Sequence, residues 1–192
     1  MSTESRVYRS ELRARQAAHT RARIVETSAD LFATQGYQAT TLAGIARAAQ
    51  VSVETVKSAA SKAELLLAAF ELAFAGEEGA ASLADTDGAD GVLELPDEAF
   101  AAAVVGVLAD ANARAHRLWT VLSGAALSDA TVRRALDAML ARRRDDFVRF
   151  ASELHRRGLT SDERDLADLA AELSFLLSPE GYTQLVTQSG WD

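Results

Sequence analysis

Residues 40–66, TTLAGIARAAQVSVETVKSAASKAELL, decide the fold of this chain. Apolar residues recur over 42–49 at the i, i+3, i+4, i+7 spacing of one helix face, which indicates a short helix. Ser52 follows at the position of an N-cap and predicts a second short helix over 53–60. A capping box of the S-x-x-E form begins at Ser61 and opens a longer helix. Two very short helices joined by a tight turn predict a helix-turn-helix unit.

The rest of the chain has the composition of an all-α protein. Only two prolines occur in 192 residues, alanine and leucine are abundant, and apolar residues recur at spacings of three and four. A first helix is predicted from Thr20 to Gln35, where Gly36 stops it, and a connecting helix from Ser61 to Ala75. Five further helices are predicted over residues 97–113, 116–126, 128–157, 160–177 and 179–188. The pattern therefore predicts about nine helices, with a three-helix head joined by the connecting helix to a C-terminal bundle.

Charge is distributed unevenly along the chain. The net charge of −8 argues against a nucleic-acid partner, because phosphate binding usually needs a basic surface. Residues 1–62, however, carry nine lysines and arginines against five acidic residues, whereas residues 63–192 carry eleven against twenty-three. The head is therefore basic and the body acidic. The arginines of the first 23 residues are equally consistent with a solvated tail.

The helix-turn-helix unit offers candidate DNA contacts. A recognition helix must be short, held by the helix before it, and must present small or polar side chains to base edges. The residues expected on the outer surface of the second short helix are Ser52, Val53, Glu54, Thr55 and Lys57. The residues expected to meet backbone phosphates are Thr40, Thr41, Arg47, Lys57 and Lys62. Periodicity alone leaves open that these helices are an ordinary corner of a helical bundle.

Residues 20–71 resemble the N-terminal DNA-binding domain of the TetR family of bacterial transcriptional regulators. The family pattern has an R-x-x-I first helix ending in L-F-x-x-x-G-Y-x-x-T-T, an I-A-x-x-A-G-V-S corner, and then T-L-Y-x-x-F-x-S-K-x-x-L-L. The matching residues here are Arg21, Ile24, Leu31-Phe32, Gly36-Tyr37, Thr40-Thr41, Ile45-Ala46, Ala49, Val51-Ser52, Thr55-Val56, Ser61-Lys62 and Leu65-Leu66. The resemblance implies a homodimer that binds a palindromic operator in double-stranded DNA.

The resemblance also implies a division into parts. We expect a basic N-terminal arm over 1–19, a helix-turn-helix DNA-binding domain over 20–62, and a ligand-binding and dimerisation domain over 63–192. An acidic loop is expected within the last of these, at 76–96. The implied function is sequence-specific transcriptional regulation, as a repressor released by an unknown small-molecule effector.

The sequence departs from the family pattern in the turn before the predicted recognition helix and within that helix. Gln50 stands where the family usually has glycine, at a turn that favours a left-handed backbone. The tyrosine that usually follows the T-L pair is absent, and Ser61 arrives one position early. Lys57 is the residue nearest to the tyrosine's position. An alternative function is therefore a TetR-like dimeric ligand-binding or protein-interaction module that has lost operator reading.

The end of the chain, SPEGYTQLVTQSGWD over 178–192, resembles family members whose last two helices form the dimer interface. Apolar residues before and within it form a stripe at helical spacing. The candidate interface residues are Leu166, Leu169, Ala170, Leu173, Leu176, Leu177, Tyr182, Leu185 and Val186. The same stripe is also consistent with the core of a monomer.

Family members commonly bind a small molecule in the body of the protein. The candidate lining residues here are Phe100, Val104, Leu108, Trp119, Leu122, Phe147 and Phe150, with Arg114 or His116 as polar contacts. Each of these residues is also consistent with a place in an ordinary helical core.

Several classes of site are not supported by the sequence. The chain has no cysteine, and its three histidines lack metal-ligating spacing, so we expect no metal or cofactor. No nucleophile elbow, phosphate-binding loop or dinucleotide-binding motif occurs, so we do not expect an enzyme. No apolar run approaches the length of a membrane span and the N-terminus does not resemble a signal peptide, which favours a cytoplasmic location.

Overall fold

The computed structural model describes residues 3–79, 83, 86, 91–161 and 163–191, and the regular structure within these ranges is entirely helical. The eight α-helices are α1 Thr3–Ala39, α2 Leu42–Ala48, α3 Val53–Ala59, α4 Lys62–Ala75, α5 Asp97–Ala125, α6 Ala130–Arg156, α7 Leu166–Leu176 and α8 Pro179–Tyr182. A 3₁₀ turn, Val92–Glu94, precedes α5, and a π-helical turn, Thr183–Gln188, continues α8. The prediction of an all-α protein is confirmed.

The helix-turn-helix unit begins its helices where the sequence predicts. The Thr41 hydroxyl accepts a hydrogen bond from the amide of Gly44 at 3.0 Å and caps α2. The Ser52 hydroxyl accepts from the amide of Thr55 at 3.0 Å and caps α3. The capping box that begins at Ser61 is complete and opens α4. Because each short helix has its own cap, both can form although neither exceeds two turns.

Helix α1 is longer than predicted. It begins at Thr3 and not at Thr20, so the segment expected to be an N-terminal arm is helical. No glycine or proline interrupts residues 3–35, and good helix formers carry the helix outward from its buried part. Gly36, with a φ of 75°, makes a kink at the position where the sequence predicts the helix to end.

Helix α5 corrects a second expectation. The helices predicted over 97–113 and 116–126 are one continuous helix. No glycine or proline lies at the expected boundary, so nothing local breaks the backbone. The guanidinium of Arg114, at that boundary, donates hydrogen bonds to the carbonyl oxygens of Ala73 at 3.0 Å and Phe74 at 3.1 Å. A residue next to the predicted break therefore closes the end of a different helix, α4.

The start of α7 also differs from the prediction. The sequence predicts a capping box at Thr160, but α7 begins at Leu166 and its N-cap is Asp165. The Asp165 carboxylate accepts from the amide of Ala167 at 2.7 Å. An aspartate directly before the first apolar residue of the helix provides a stronger, charge-assisted cap than a hydroxyl farther away.

Two apolar clusters organise the protein. The larger cluster runs without a break from α1 and the short helices through α4 and α5 to the start of α6, so the head has no separate core. The second cluster, around Phe147 and Leu169, joins α6 to α7. Among the helices that the structure describes, none is both long and apolar enough to cross a membrane.

The junction of α7 and α8 depends on a glycine. A Cβ atom at Gly181 would lie 2.6 Å from the carbonyl oxygen of Leu176 and 2.7 Å from that of Phe175. We expect Gly181→Ala to lower the free energy of unfolding by about 2 kcal/mol, because backbone atoms cannot move aside as a side chain can. Gly106, in α5, has no atom within 4 Å of the corresponding position.

The matched control is therefore Gly106→Ala, which should raise the free energy of unfolding by about 0.8 kcal/mol through helix propensity alone. Chemical denaturation of the two variants measures both changes. If Gly181→Ala raises the free energy of unfolding as the control does, the close approach at Gly181 does not limit packing.

Candidate functional site

The outer surface of α3 carries polar side chains. Ser52, Glu54 and Lys57 are exposed, and Val53 and Thr55 are half-buried. The hydroxyls of Ser52 and Thr55 lie 2.8 Å apart. Hydroxyls, a carboxylate and an ammonium on one short helix form a set that can hydrogen-bond to base edges and phosphates.

Lys57 and Glu54 form an ion pair on this surface. Their charged atoms are 3.0 Å apart, and the side chains are 56% and 80% exposed. An exposed pair of this kind contributes at most about 1 kcal/mol, so a phosphate can replace the carboxylate as the partner of the ammonium. The exposed Arg47 at the end of α2 provides a second cation beside α3.

Thr40 does not lie on this surface. Its side chain is 1% exposed, and its hydroxyl donates to the carbonyl oxygen of Gly36 at 2.8 Å. The expectation that this hydroxyl meets a phosphate is therefore corrected, because the bond instead closes the end of α1. Thr41, one residue later, is exposed and has the cap role already described.

Lys62 packs against the end of α1. Its ammonium lies 4.3 Å from the centre of the Tyr37 ring and 3.5 Å from the carbonyl oxygen of Gln38. Burial lowers the pKa of Lys62, and the nearby Asp129 carboxylate opposes that shift. The side chain remains half-exposed, so it joins α4 to α1 and keeps part of its surface in solvent.

The shortened turn after α3 is closed without the tyrosine. Ala60 is extended, with a φ of −171°, and leads directly into the cap of α4. Arg21 of α1 donates to the carbonyl oxygen of Ala59 at 2.9 Å and to the carboxylate of Glu78 at 2.7 Å. The guanidinium thus satisfies the last carbonyl of α3, and α3 keeps its helical form to Ala59.

Gln50 adopts the left-handed backbone that the resemblance implies for this turn. Its φ of 54° is the only positive value among the non-glycine residues that the structure describes. A non-glycine residue in this region costs roughly 1 kcal/mol, which the surrounding core has to offset. The turn geometry is therefore kept although the glycine is not.

A polar contact ties the head to α6. The Tyr37 hydroxyl donates to the carboxylate of Asp129 at 2.7 Å, and Asp129 is the N-cap of α6. Burial and this hydrogen bond raise the pKa of Tyr37, and the same bond lowers the pKa of Asp129. Sequence reasoning missed this contact, because no local pattern relates two residues so far apart in the chain.

A cavity of about 350 Å³ lies between α4, α5, α6 and the 3₁₀ turn. Six aromatic residues contribute to its wall, with Phe70 5.5 Å from Trp119 and Phe100 5.9 Å from Phe150 between ring centres. The predicted lining residues that the structure places at this cavity are Phe100, Val104, Leu108, Trp119, Phe147 and Phe150. Phe70 and Phe74 were not predicted as lining residues, because the sequence places them in the connecting helix.

Three predicted lining residues lie elsewhere. Leu122 is fully buried in the larger apolar cluster. Arg114 caps the end of α4, as described above. His116 packs against the Tyr182 ring at 5.4 Å between ring centres. These positions correct the expectation that Arg114 or His116 provides the polar contact of the cavity.

Asn112 is a buried polar side chain that lines the cavity, in addition to the charged residues of its wall. It is 2% exposed, and its Nδ2 donates to the carbonyl oxygen of Leu177 at 2.9 Å. Its Oδ1 is buried and accepts no hydrogen bond from the part of the chain that the structure describes. A lone asparagine in an alanine-rich helix carries no sequence signal, so the prediction missed it.

Arg157 holds the 3₁₀ turn against the cavity. Its side chain is 5% exposed, and its guanidinium donates to the carbonyl oxygens of Leu93 at 2.6 Å and Leu95 at 2.8 Å. The same group lies 4.1 Å from the centre of the Phe100 ring. Because Val92 and Leu93 line the cavity, this arginine fixes one of its walls.

The predicted interface stripe divides into two sets. Leu169 and Ala170 are buried within the chain, and Leu173 and Leu177 pack against the same cluster around Phe147. For these four residues the alternative of a monomer core is the one observed. The reason is that α7 packs along α6 and turns this side of the stripe inward.

The other side of the stripe is accessible. Leu176 is 51% exposed, and the half-buried members are Leu166, Tyr182, Leu185 and Val186. Phe175, which the prediction did not include, is 62% exposed, and Trp191 is 63% exposed. Large apolar side chains left in solvent near the end of a chain are typical of a surface that binds a partner.

Comparison with known proteins bears on the head. Residues 24–69 match a family model described as "Bacterial regulatory proteins, tetR family". The matched range runs from α1 through the helix-turn-helix unit into α4 and covers the contacts described above. No curated protein matches the chain.

Within the described ranges, no group of three or more histidine, aspartate or glutamate side chains is arranged to hold a metal ion.

Proposed function

We propose that the protein, whose head matches the model of the TetR family of DNA-binding transcriptional regulators, is a homodimeric repressor released from a palindromic operator by a small molecule. The observation that carries this proposal is the helix-turn-helix unit inside the matched range. Its caps are complete, its turn has the required left-handed residue, and α3 presents polar side chains to solvent.

In this proposal α3 enters the major groove. Ser52, Val53, Glu54 and Thr55 meet base edges, and Thr41, Arg47, Lys57 and Lys62 meet phosphates. A two-fold dimer would place its two recognition helices about 34 Å apart, one turn of DNA. Each copy would then read one half of the palindrome.

The proposed release couples the cavity to the head through α4. This helix starts beside α3, at the Ser61 cap, and its Phe70 and Phe74 form part of the cavity wall. A ligand that binds better when α4 is displaced would move the two heads away from operator spacing. The shift cannot exceed the difference in the ligand's affinity for the two arrangements.

A second candidate is a dimeric ligand-binding or protein-interaction module that has lost operator reading. The observation that favours it is the small number of cations on the unit. Between residues 42 and 59 only Arg47 and Lys57 are basic, and Glu54 lies beside Lys57. Few phosphate contacts give weak binding at physiological salt.

Selection from a pool of random DNA duplexes across a range of salt concentrations separates the two candidates. We expect the wild-type protein to enrich a palindrome. We expect Lys57→Ala to retain the same palindrome with lower affinity and a salt slope reduced by about two, since each of the two copies loses one phosphate contact. If DNA is retained without enrichment of any sequence, or is not retained even at low salt, the second candidate, the module that does not read an operator, is favoured. An unchanged slope for Lys57→Ala would remove Lys57 from the phosphate contacts.

A further inference from the structure

Asn112, which lines the cavity, carries a hydrogen-bond acceptor without a partner in the described residues. Asn112 is 98% buried, since only 2% of its surface is exposed, and its Nδ2 is already committed to Leu177. That bond identifies the other amide atom as the oxygen, and this Oδ1 has no partner in the described residues. A buried acceptor without a partner costs free energy, so a molecule in the cavity that turns this side chain toward itself gains by donating to it.

The charges that line the cavity are balanced. Three arginines and three carboxylates take part, namely Arg142, Arg143, Arg149, Glu71, Asp146 and Glu153. Arg149 is paired with Asp146, Glu153 with Arg156 and Arg157, and Arg143 lies 3.8 Å from Glu180. A ligand with a net charge would lose its hydration and meet a wall whose formal charges sum to zero.

The remaining wall is mostly apolar, and six of its residues are aromatic. Rings from α4, α5 and α6 face the cavity, including the tilted pair of Phe70 and Trp119 and the edge-on pair of Phe100 and Phe150. Aromatic rings favour offset or edge contacts with another ring. At about 350 Å³ the cavity lies near the lower end of the range that holds small organic ligands.

From these observations we propose that the cavity takes an uncharged, aromatic or otherwise apolar molecule that donates one hydrogen bond to Oδ1 of Asn112. The proposal rests on the ligand-released regulator proposed above and specifies the chemistry of its effector. The hydrogen bond sets the orientation of the molecule, and the rings supply most of the buried contact.

Four naphthalene derivatives of matched size test this chemistry in calorimetric titrations of the full chain at neutral pH. They are 2-naphthol, which donates a hydrogen bond, 2-methoxynaphthalene, which does not, the anion 2-naphthoate, and the cation 2-naphthylmethylammonium. We expect 2-naphthol to bind about tenfold more tightly than each of the other three, the difference expected for one buried hydrogen bond or one uncompensated charge.

The variant Asn112→Leu should remove the tenfold preference for the hydroxyl over the methoxy compound. Thr120→Val, which removes an exposed hydroxyl from the same helix, should leave that preference unchanged. If Asn112→Leu does not fold, the relative affinities of the wild-type protein for the four compounds test the proposal. Equal binding of 2-naphthol and 2-methoxynaphthalene, tighter binding of either charged compound, or no binding of any would overturn the proposal.

Retention of the selected DNA in the presence of each compound separates this proposal from the proposed function. If 2-naphthol binds as expected and the DNA is still retained, the ligand chemistry stands and release by that ligand does not. If 2-naphthoate releases the DNA and 2-naphthol does not bind, ligand release stands and the proposed chemistry is wrong.

Discussion

Replacing Arg157 by methionine is expected to lower the free energy of unfolding by about 3 kcal/mol, the lower end of the cost of removing one partner from a buried ion pair. The guanidinium is 5% exposed and bonds to Glu153 at 2.6 Å and to two carbonyl oxygens before α5. Methionine keeps much of the packing and removes the charge and every hydrogen bond. Those two carbonyl oxygens then lose their donor.

Arg156→Met is the matched control. Arg156 pairs with the same Glu153 at 2.5 Å, but its side chain is 67% exposed. Because an exposed pair contributes little, this variant should lose far less stability than Arg157→Met. Chemical denaturation of both variants measures the difference. Equal losses would show that the carbonyl contacts of Arg157 contribute nothing to the fold.

The two arginines also set a pH dependence. Hydrogen bonds from Arg156 and Arg157 lower the pKa of Glu153 from its usual 4.5 to about 2. A lowered pKa means that the carboxylate stabilises the folded state fully above pH 4.5 and loses this effect as the pH falls toward 2. The stability difference between the wild type and Arg157→Met should therefore narrow over this interval. It should not vanish, because the bonds to the carbonyl oxygens do not titrate.

The parts of the fold that could be predicted are those with local signals. Ser52 and Ser61 mark helix starts because a cap needs only a hydroxyl and the next few amides, and periodicity identifies Ile45 and Val56 as core. The continuous α5 was missed because its predicted break had no breaking residue. A change of pattern in sequence is a weaker signal than a glycine or a proline.

The site was less predictable because its polar contacts join distant parts of the chain. Arg114 was expected at the cavity and instead caps α4, whereas Asn112, two residues earlier on α5, lines the cavity. The two positions differ by about 200° around a helix, so one faces α4 while the other faces the cavity. Only the packing of α5 decides which of them meets a ligand.

The predicted interface stripe also shows that sequence periodicity does not determine which side of a helix the packing buries. Sequence periodicity places Leu169 and Leu176 in one apolar pattern, and packing against α6 buries the first and leaves the second 51% exposed. Phe175, beside it, escaped the prediction because it lies off the expected stripe. The exposed set is therefore the part of the pattern that the fold of one chain does not use.

The largest effect is expected from Phe175→Glu combined with Leu176→Glu. In the proposed homodimer these side chains, 62% and 51% exposed in the single chain, would become buried against a second copy. Two carboxylates on each side would have to lose their hydration without a partner. We expect the double variant to be monomeric and to bind the selected palindrome at least about 100-fold more weakly, since each copy would then hold only one half-site.

Leu127→Glu is the control, because Leu127 is 79% exposed at the turn between α5 and α6, outside the predicted interface. It should leave both dimer and DNA affinity unchanged. Analytical ultracentrifugation gives the oligomeric state, and titration with the palindrome gives the affinity. A double variant that stays dimeric places the interface on another surface. A monomer that keeps full affinity shows that one head alone supplies the binding, and the two-fold operator is then not what the protein reads.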